Sequence, residues 1–273
     1  MRTIEINHGK TLFVHDSVAD NLAHCNPNRF AKYSLDFVGR TVASKSAGEK
    51  MTYEPWETGR EVLQRCLNAL EAIELPHVGS HVRHIEFNEM DGDELDYDRL
   101  RSGQSYWRTS KREESCGPTH VTIFTHCSTS GDVDPESTAW RGAAALALTF
   151  FLEAKGYSVE LWLVSGTCQN SKTVLTATCI KRGGEMADRD MMINAASAWF
   201  YRSLIFNNVR SRQLESFNLD TLSSGIGMPV TPTQDELDLI SRDPLRIYSA
   251  GVFSMGGAIE LMRHELQKLG KAE

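Results

Sequence analysis

The stretch from His120 to Gly156 constrains the fold more than any other part of this chain. It begins with an apolar run typical of a buried strand, Val121 to Thr125, and continues through a loop rich in hydroxyl side chains. The sequence Asp134-Pro135-Glu136 then supplies the cap, the proline and the acid that begin a helix, and Gly156 is placed to end it. The order strand, loop, helix places the loop at the carboxyl end of a buried strand.

A second apolar run, Val159 to Val164, follows and predicts two parallel strands joined by a right-handed helical crossover. Thr173 to Ile180 is strongly β-prone and comes after a short loop, so we expect it to pair antiparallel with that run. Residues 119–273 are therefore predicted to form a three-layer α/β domain, with a mostly parallel sheet and an antiparallel edge strand. The other predicted elements are helices at about 188–209, 233–242 (with a capping box) and 258–269, and a strand at 247–253.

The first part of the chain is less regular. Residues 1–90 are expected to form a mainly helical region without a core of its own. The best helix in it spans Glu54 to Leu75, where apolar residues recur at helical spacing, and Ser80 to Met90 alternates in part as a strand does. Residues 91–118 start acidic and end basic, and are predicted to be a connector that lies over the domain that follows.

Composition narrows the class of protein. The net charge of −7 argues against a surface that binds nucleic acid all over, although a local basic patch is compatible with it. The six cysteines form no C-x-x-C pair, so we expect free thiols in a reducing cytoplasm. No apolar run is long enough to cross a bilayer, and the N-terminal residues are charged where a signal peptide is apolar, which predicts a cytoplasmic protein.

The order of elements resembles the von Willebrand factor A-type domain, which implies a divalent metal bound by an Asp-x-Ser-x-Ser loop after the first strand. In this chain Ser128 and Ser130 match the two serines, and His126 stands in place of the aspartate. Magnesium prefers oxygen ligands and a carboxylate. The resemblance therefore implies a degenerate site of His126, Ser128, Ser130 and Asp132, with Mg²⁺ bound weakly or not at all. The alternative is that the hydroxyls only cap the next helix.

Several phrases are similar to a poorly characterised family from phages and bacteria that has a distant von Willebrand A-like character. The resemblance covers about residues 55–210 and implies the fold and a phage origin, but no agreed activity and no catalytic residues. Its most specific phrase is Trp140 to Leu148. The other phrases are Asp93 to Asp96, Trp107-Arg108, Leu152 to Tyr157 and Lys181-Arg182.

Two loops suggest further chemistry. His126, Ser128 and Ser130 include a candidate base and nucleophile, but the sequence shows neither a group to orient the histidine nor a Gly-x-Ser-x-Gly turn. A hydrolase centred on this loop is therefore a hypothesis that ranks third, after the two main hypotheses given below. Gly251 to Gly257 joins a predicted strand to a helix, a place that binds anions through backbone N–H groups or lets a helix pack closely on a sheet.

The basic end of the connector interleaves cations with aromatic rings. Proteins bind single-stranded nucleic acid with cations along its backbone and aromatic faces under its bases. Arg202, Arg210 and Arg212 with Tyr201 would extend such a surface if the fold brings them near. The alternative is that the rings anchor the connector while the cations stay solvated. The predicted nucleic-acid-binding residues are Tyr97, Arg99, Arg101, Tyr106, Trp107, Arg108, Lys111 and Arg112.

These patterns lead to two main hypotheses. The first is a non-enzymatic phage accessory protein that binds single-stranded nucleic acid and a polymerase or other protein partner, in support of transcription or replication. The second is a protein–protein adaptor that uses the loop from His126 to Ser130, with a MoxR-type ATPase as its partner. Neither hypothesis involves a membrane.

Overall fold

The structure is a computed structural model that describes residues 1–7, 9–25, 35–71, 73, 83–89, 94–112, 119–169, 171–210 and 228–269. The strands in this part of the chain are β1 (Arg2–Asn7), β2 (Lys10–His15), β3 (Arg83–Asn88), β4 (Glu94–Leu95), β5 (Trp107–Arg112), β6 (His120–His126), β7 (Ser158–Gln169), β8 (Lys172–Lys181), β9 (Met228–Pro229) and β10 (Arg246–Ser249). The helices are α1 (Val18–Ala23), α2 (Leu35–Val38), α3 (Lys45–Met51), α4 (Glu57–Leu70), α5 (Tyr97–Arg101), α6 (Pro135–Ala154), α7 (Arg189–Ala195), α8 (Ala198–Phe200), α9 (Gln234–Asp238) and α10 (Met255–Leu269).

A seven-stranded sheet lies at the centre, in the order β1-β2-β8-β7-β6-β10, with β9 paired to β7. β6 is parallel to both of its neighbours, β7 and β10, whereas β8 runs antiparallel to β7. The prediction of an α/β fold with a mostly parallel sheet flanked by helices is confirmed. The prediction that the antiparallel strand lies at the edge was wrong, because β2 pairs in parallel with the outer side of β8.

Strand β2 explains this difference. Phe13 packs into the hydrophobic cluster under helices α4, α6 and α10, whereas Leu12 and Val14 pack into a second cluster on the other face of the sheet. A strand buried on both faces has a continuous apolar run instead of an alternating one. The expectation of a mainly helical N-terminal region is therefore wrong for the first fifteen residues, which form β1 and β2 and extend the sheet of residues 119–273.

Helix α6 is buried almost all round, with Ala144, Ala147 and Leu148 fully inaccessible. A helix that is apolar on every side belongs in a core, and α4 and α10 pack against this one. Its predicted ends are confirmed. Asp134 caps it by accepting a hydrogen bond from the Ser137 N–H at 3.0 Å, and Gly156 follows its last turn with a φ of 92°.

The predicted connector is part of a second, small sheet in the order β3-β5-β4, with α5 between β4 and β5. Strand β3 confirms the prediction of a strand between Ser80 and Met90. Residues of the predicted connector thus form strands, because β5 pairs antiparallel with both β3 and β4.

The single helix predicted for about residues 188–209 is divided. Ser197 ends α7 by donating to the Asn194 carbonyl at 2.5 Å and caps α8 by accepting from the Phe200 N–H at 3.3 Å. A π-helical turn, Tyr201–Ile205, follows α8 before residues 206–210 return to α-helix. The capping box of Thr233 and Glu236 is confirmed at the start of α9. Within the described residues, none of the helices combines the length and apolar character of a membrane span.

Gly142 provides a test of the packing of α6. A Cβ at this position would clash with the carbonyl oxygen of Ala196 and lie 2.9 Å from the Ala196 Cβ, and a backbone oxygen cannot turn aside as the end of a flexible side chain can. We expect Gly142→Ala to lower the free energy of unfolding by about 2 kcal/mol through overpacking, despite the gain in helix propensity. Gly256→Ala on α10 is the matched control, because a Cβ there meets nothing within 4 Å. Equal melting temperatures for the two variants would contradict this account.

Candidate functional site

The candidate site lies where the chain leaves β6 and enters α6. His126 is the last residue of β6, and the loop of residues 127–134 leads to α6. The neighbouring strand β10 ends at the same edge, where the Ser249 hydroxyl donates a hydrogen bond to the Arg141 carbonyl at 3.3 Å. Ligand sites of α/β proteins lie outside the carboxyl ends of parallel strands, so this edge is the first place to look for one.

Ser128 ties the loop to two other parts of the chain. Its buried hydroxyl oxygen accepts hydrogen bonds from the Gly166 N–H of β7 at 3.0 Å and from the Tyr201 hydroxyl at 3.1 Å. Tyr201 is itself buried, and burial raises the pKa of its hydroxyl. Ser128 is thus a structural link between β6, β7 and the π-helical turn.

Arg202 holds the rest of the loop. Its guanidinium donates to the Thr129 hydroxyl at 3.0 Å and to two backbone carbonyls, those of Ser130 at 3.0 Å and Val133 at 2.7 Å. Only 1 % of Arg202 is exposed. The expectation that Tyr201 and Arg202 extend a nucleic-acid surface was wrong, because both side chains point into the protein. Arg212 lies outside the described residues.

His126 is neutral at physiological pH. Its ring is buried, and Nε2 lies 3.2 Å from the Val230 carbonyl oxygen, to which it donates as N–H. Burial, assisted by the charge of Arg141, lowers the pKa of the imidazole to about 4. The next residue, Cys127, lies against the Val164 carbonyl at 3.2 Å, and burial raises the pKa of its thiol to about 12. At neutral pH the Cys127 thiol is therefore protonated and is not a reactive nucleophile. The His126 imidazole is neutral and does not act as an imidazolium acid.

Arg141 is the unexpected member of the site. It lies in the second turn of α6 with 3 % of its surface exposed, and its guanidinium is 5.4 Å from the centre of the Phe253 ring. Among the described residues, no carboxylate or other oxygen accepts a hydrogen bond from it. The buried hydroxyl of Tyr248, on β10, also has no hydrogen-bond partner there. Burial lowers the pKa of Arg141 and raises that of Tyr248.

The loop after β10 lies on the other side of Arg141. Gly251 has a φ of 69°, and Phe253 follows it to meet Arg141. Ser254 caps α10, because its hydroxyl accepts from the Gly257 N–H at 3.2 Å. Close packing of the helix on the sheet does not explain Gly256, since a Cβ there would meet nothing within 4 Å. The structure thus places the two loops singled out in the sequence near one buried arginine, Arg141.

The residues predicted as a degenerate metal site are engaged in separate hydrogen bonds. His126 hydrogen-bonds to Val230 and Ser128 to Tyr201, whereas Ser130 and Asp132 are exposed and face each other at 3.3 Å. No hydrogen bond joins His126 to Ser128 in the described structure, so the arrangement lacks the nucleophile and base pair of a hydrolase. The Mg²⁺ hypothesis stays a prediction.

The predicted nucleic-acid residues lie in the second sheet and α5, and two of their cations are engaged there. Arg99 stacks 3.9 Å from the centre of the Phe87 ring and donates to the Ser105 carbonyl at 2.9 Å. Arg108 forms an ion pair with Glu94 at 3.6 Å. These two cations are therefore neither free for a nucleic-acid backbone nor fully solvated, as the alternative expected.

The aromatic residues of this segment differ in exposure. Tyr97 is 68 % exposed on α5, and Arg101 is exposed one helical turn later. Tyr106 and Trp107 are half-buried, with ring centres 6.3 Å apart. Successive residues of a strand face opposite sides of a sheet, so Trp107 and Arg108 do not share a face. The side chains of Lys111 and Arg112 lie outside the described residues.

Comparisons with known proteins give a single result. A family model described as a domain of unknown function, DUF7192, matches residues 6–271. No curated protein and no solved structure matches the chain. The family match begins within β1 and ends beyond α10, so it includes the central sheet except for the first residues of β1.

The pKa of His126 predicts how stability depends on pH. Below pH 6.5 the unfolded chain takes up a proton at this imidazole, and the folded chain does so only near pH 4. The stability that neutral His126 provides is therefore present above pH 6.5 and is lost as the pH falls, by about 2 kcal/mol between pH 7 and 5. His126→Gln retains an N–H donor and should remove this part of the pH dependence in urea unfolding. An unchanged slope would contradict a depressed pKa.

Proposed function

This chain belongs to the family described as a domain of unknown function (DUF7192), and we propose that it binds a ligand through a phosphate or carboxylate group. The proposed site lies between the carboxyl ends of β6 and β10, with Arg141 as the principal anion ligand. The protein acts in this proposal as a binding module and performs no covalent chemistry at the loop.

The observation that carries the proposal is the burial of Arg141 without an acceptor among the described residues. Arginine stays charged in proteins and presents five N–H donors, and a buried charge without a partner is strongly destabilising. The ring of Phe253 supplies some compensation through its π face, but it accepts none of the guanidinium's hydrogen bonds in the plane of the group. A phosphate or carboxylate group offers the paired oxygens that fit this fork.

The neighbours of Arg141 favour the same class of ligand. The Tyr248 hydroxyl is a second buried group without a hydrogen-bond partner among the described residues. It is close enough to Arg141 for an electrostatic interaction with the guanidinium. Arg202 adds a second positive charge to the environment of Arg141. His126 is neutral, so it does not balance these charges.

The same charges disfavour a cation. The buried guanidinium groups of Arg141 and Arg202, beside the loop after β6, would repel Mg²⁺. The Ser128 hydroxyl oxygen already accepts two hydrogen bonds and is not available as a metal ligand. We propose as the finer fold assignment a von Willebrand A-like domain, supported by parallel β6 and β7 joined through α6 and by antiparallel β8. In this proposal the loop of such a domain binds an anion in place of a metal.

Binding of inorganic phosphate tests this function. We expect millimolar phosphate, compared with sodium chloride of equal ionic strength, to raise the melting temperature by several degrees, since a hundredfold excess over the Kd stabilises by about 2.7 kcal/mol. Arg141→Gln should abolish this response.

Arg189→Gln is the matched control, because Arg189 is an exposed arginine on α7, and it should respond to phosphate as the unchanged protein does. In the absence of phosphate, Arg141→Gln should cost little stability or add some, because it removes an uncompensated buried charge. An equal phosphate response in the unchanged protein and Arg141→Gln would refute the proposed site.

Single-stranded nucleic-acid binding is the second candidate, and the exposed pair Tyr97 and Arg101 favours it. The two residues lie four apart on α5, so a ring and a cation share one helix face. Such a face offers a base a stacking partner and a phosphate a counter-charge. A polymerase or another protein partner remains part of this second candidate.

A labelled single-stranded oligonucleotide measures this interaction by fluorescence anisotropy at low salt. We expect the double change Tyr97→Ala and Arg101→Ala to weaken binding at least about tenfold, and added salt to weaken it steeply. The exposed Tyr53, changed to Ala together with the exposed Arg263, is the control pair from other surfaces. Binding that is absent, or unaffected by the first pair, would exclude this candidate.

A further inference from the structure

We propose that His15, Asp20 and His24 form a binding site for a transition metal ion of the zinc type, independent of the anion site. These three residues are a group of potential metal ligands whose atoms all lie within 4.8 Å of one another. Neither the family description nor the sequence patterns point to them.

The local fold brings the three side chains together. His15 is the last residue of β2, Ser17 caps α1 by accepting from the Asp20 N–H at 3.0 Å, and α1 begins at once. Asp20 and His24 are four residues apart, so they lie on the same face of this turn of helix. The end of β2 supplies the imidazole of His15, and α1 supplies the carboxylate of Asp20 and the imidazole of His24. The three groups therefore lie close together.

The distances suit a four-coordinate ion. His15 Nδ1 lies 3.6 Å from Asp20 Oδ2, and His24 Nδ1 lies 3.3 Å from Asp20 Oδ1. His24 Nδ1 also donates to the Asp20 carbonyl at 2.7 Å, a hydrogen bond that a metal ion on this nitrogen would replace. Zinc binds histidine nitrogen and carboxylate oxygen at about 2.0–2.2 Å, which separates tetrahedral ligands by about 3.4 Å. The observed ligand pairs thus need shifts of only a few tenths of an ångström.

The carboxylate is held in its ionised form. Burial opposes ionisation of Asp20, but hydrogen bonds from the Met1 amino group and the Asp16 N–H outweigh it and hold the pKa of the carboxyl below its usual value. The amino group and Asp20 Oδ2 are 3.1 Å apart. A positive charge therefore already sits on this carboxylate, and a metal ion would take its place.

A second layer of polar groups supports His15. The Asn208 amide lies 3.4 Å from His15 Nε2 and donates to Asn21 Oδ1 at 2.9 Å, and Asn21 in turn donates to the Thr178 hydroxyl at 2.8 Å. The buried Asn208 Oδ1 has no hydrogen-bond partner among the described residues. A metal on Nδ1 requires a proton on Nε2, and ligating histidines usually donate that N–H to an oxygen. Rotation of the Asn208 and Asn21 amides would supply that oxygen.

The donor set selects the class of metal. Two imidazole nitrogens and one carboxylate suit zinc, cobalt and nickel, whereas magnesium and calcium prefer oxygen ligands alone. His24 is one-third exposed, so an ion has a route to the site from solvent. Three protein ligands leave a fourth position for water.

The test uses the full chain after treatment with EDTA. We expect isothermal titration with Zn²⁺ to give one ion per chain, and Co²⁺ to give the visible absorption of a four-coordinate ion with nitrogen and oxygen ligands. His24→Ala and Asp20→Asn should each weaken Zn²⁺ binding by more than about 100-fold, since even supporting residues contribute 10- to 100-fold.

Two controls make the result specific. His264→Ala removes an exposed histidine on α10, and Arg141→Gln alters the anion site, so both should bind Zn²⁺ as the unchanged protein does. Circular dichroism of His24→Ala, whose side chain is partly exposed, checks that the fold is retained. The proposal is overturned if the unchanged protein binds no Zn²⁺, if folded His24→Ala and Asp20→Asn bind it undiminished, or if Co²⁺ shows the charge-transfer band of cysteine thiolate.

Discussion

The arrangement of this protein depends on the hydrogen bonds that Tyr201 and Arg202 make to the loop after β6. Arg202 donates to three oxygens of that loop, and Tyr201 shares Ser128 with the Gly166 N–H of β7. Because every one of these groups is polar and mostly buried, each needs its partner in place. The π-helical turn, the loop and two strands are therefore fixed together. The end of β6, which lies beside Arg141, is held in place for this reason.

The sequence predicted those parts of the fold that local signals specify. Asp134, Pro135 and Gly156 fixed the ends of α6, and the short loop before β8 fixed its antiparallel pairing. The sequence did not predict that β2 lies beside β8, because parallel pairing between residues so far apart depends on which apolar faces meet in the core. The burial of Arg141 and Arg202 was missed for a related reason. An arginine in a sequence suggests a solvated or ligand-binding surface, and only the surrounding fold shows that these two point inwards. Trp140 to Leu148 is the most specific part of the family resemblance, but the sequence alone assigns no role to Arg141 within it.

His126 stands where the resemblance to a von Willebrand A-type domain implies an aspartate. This difference affects the balance of charge around Arg141. An aspartate at this position would place a carboxylate near Arg141 and balance its charge. The imidazole that is present is neutral, since burial and the arginine both oppose its protonation. The nearby acids do not compensate, because Asp132 is exposed and Asp134 caps α6. In the proposed function, histidine in place of a carboxylate therefore leaves the charge of Arg141 available to an anion.

The segment from Tyr201 to Arg210 touches both proposed sites. Tyr201 and Arg202 contact the loop beside Arg141, and Asn208 contacts His15. An α-helix turns by about 100° for each residue. A π-helical turn contains one residue more than an α-helical turn, so it shifts every later side chain by that angle relative to the earlier ones. If the helix were a regular α-helix from Ala198 onwards, Arg202 and Asn208 would point in different relative directions. With Arg202 facing the loop, Asn208 would then turn away from His15. The irregular turn is therefore what allows one short helical segment to hold the loop after β6 with its first residues and to reach His15 with Asn208.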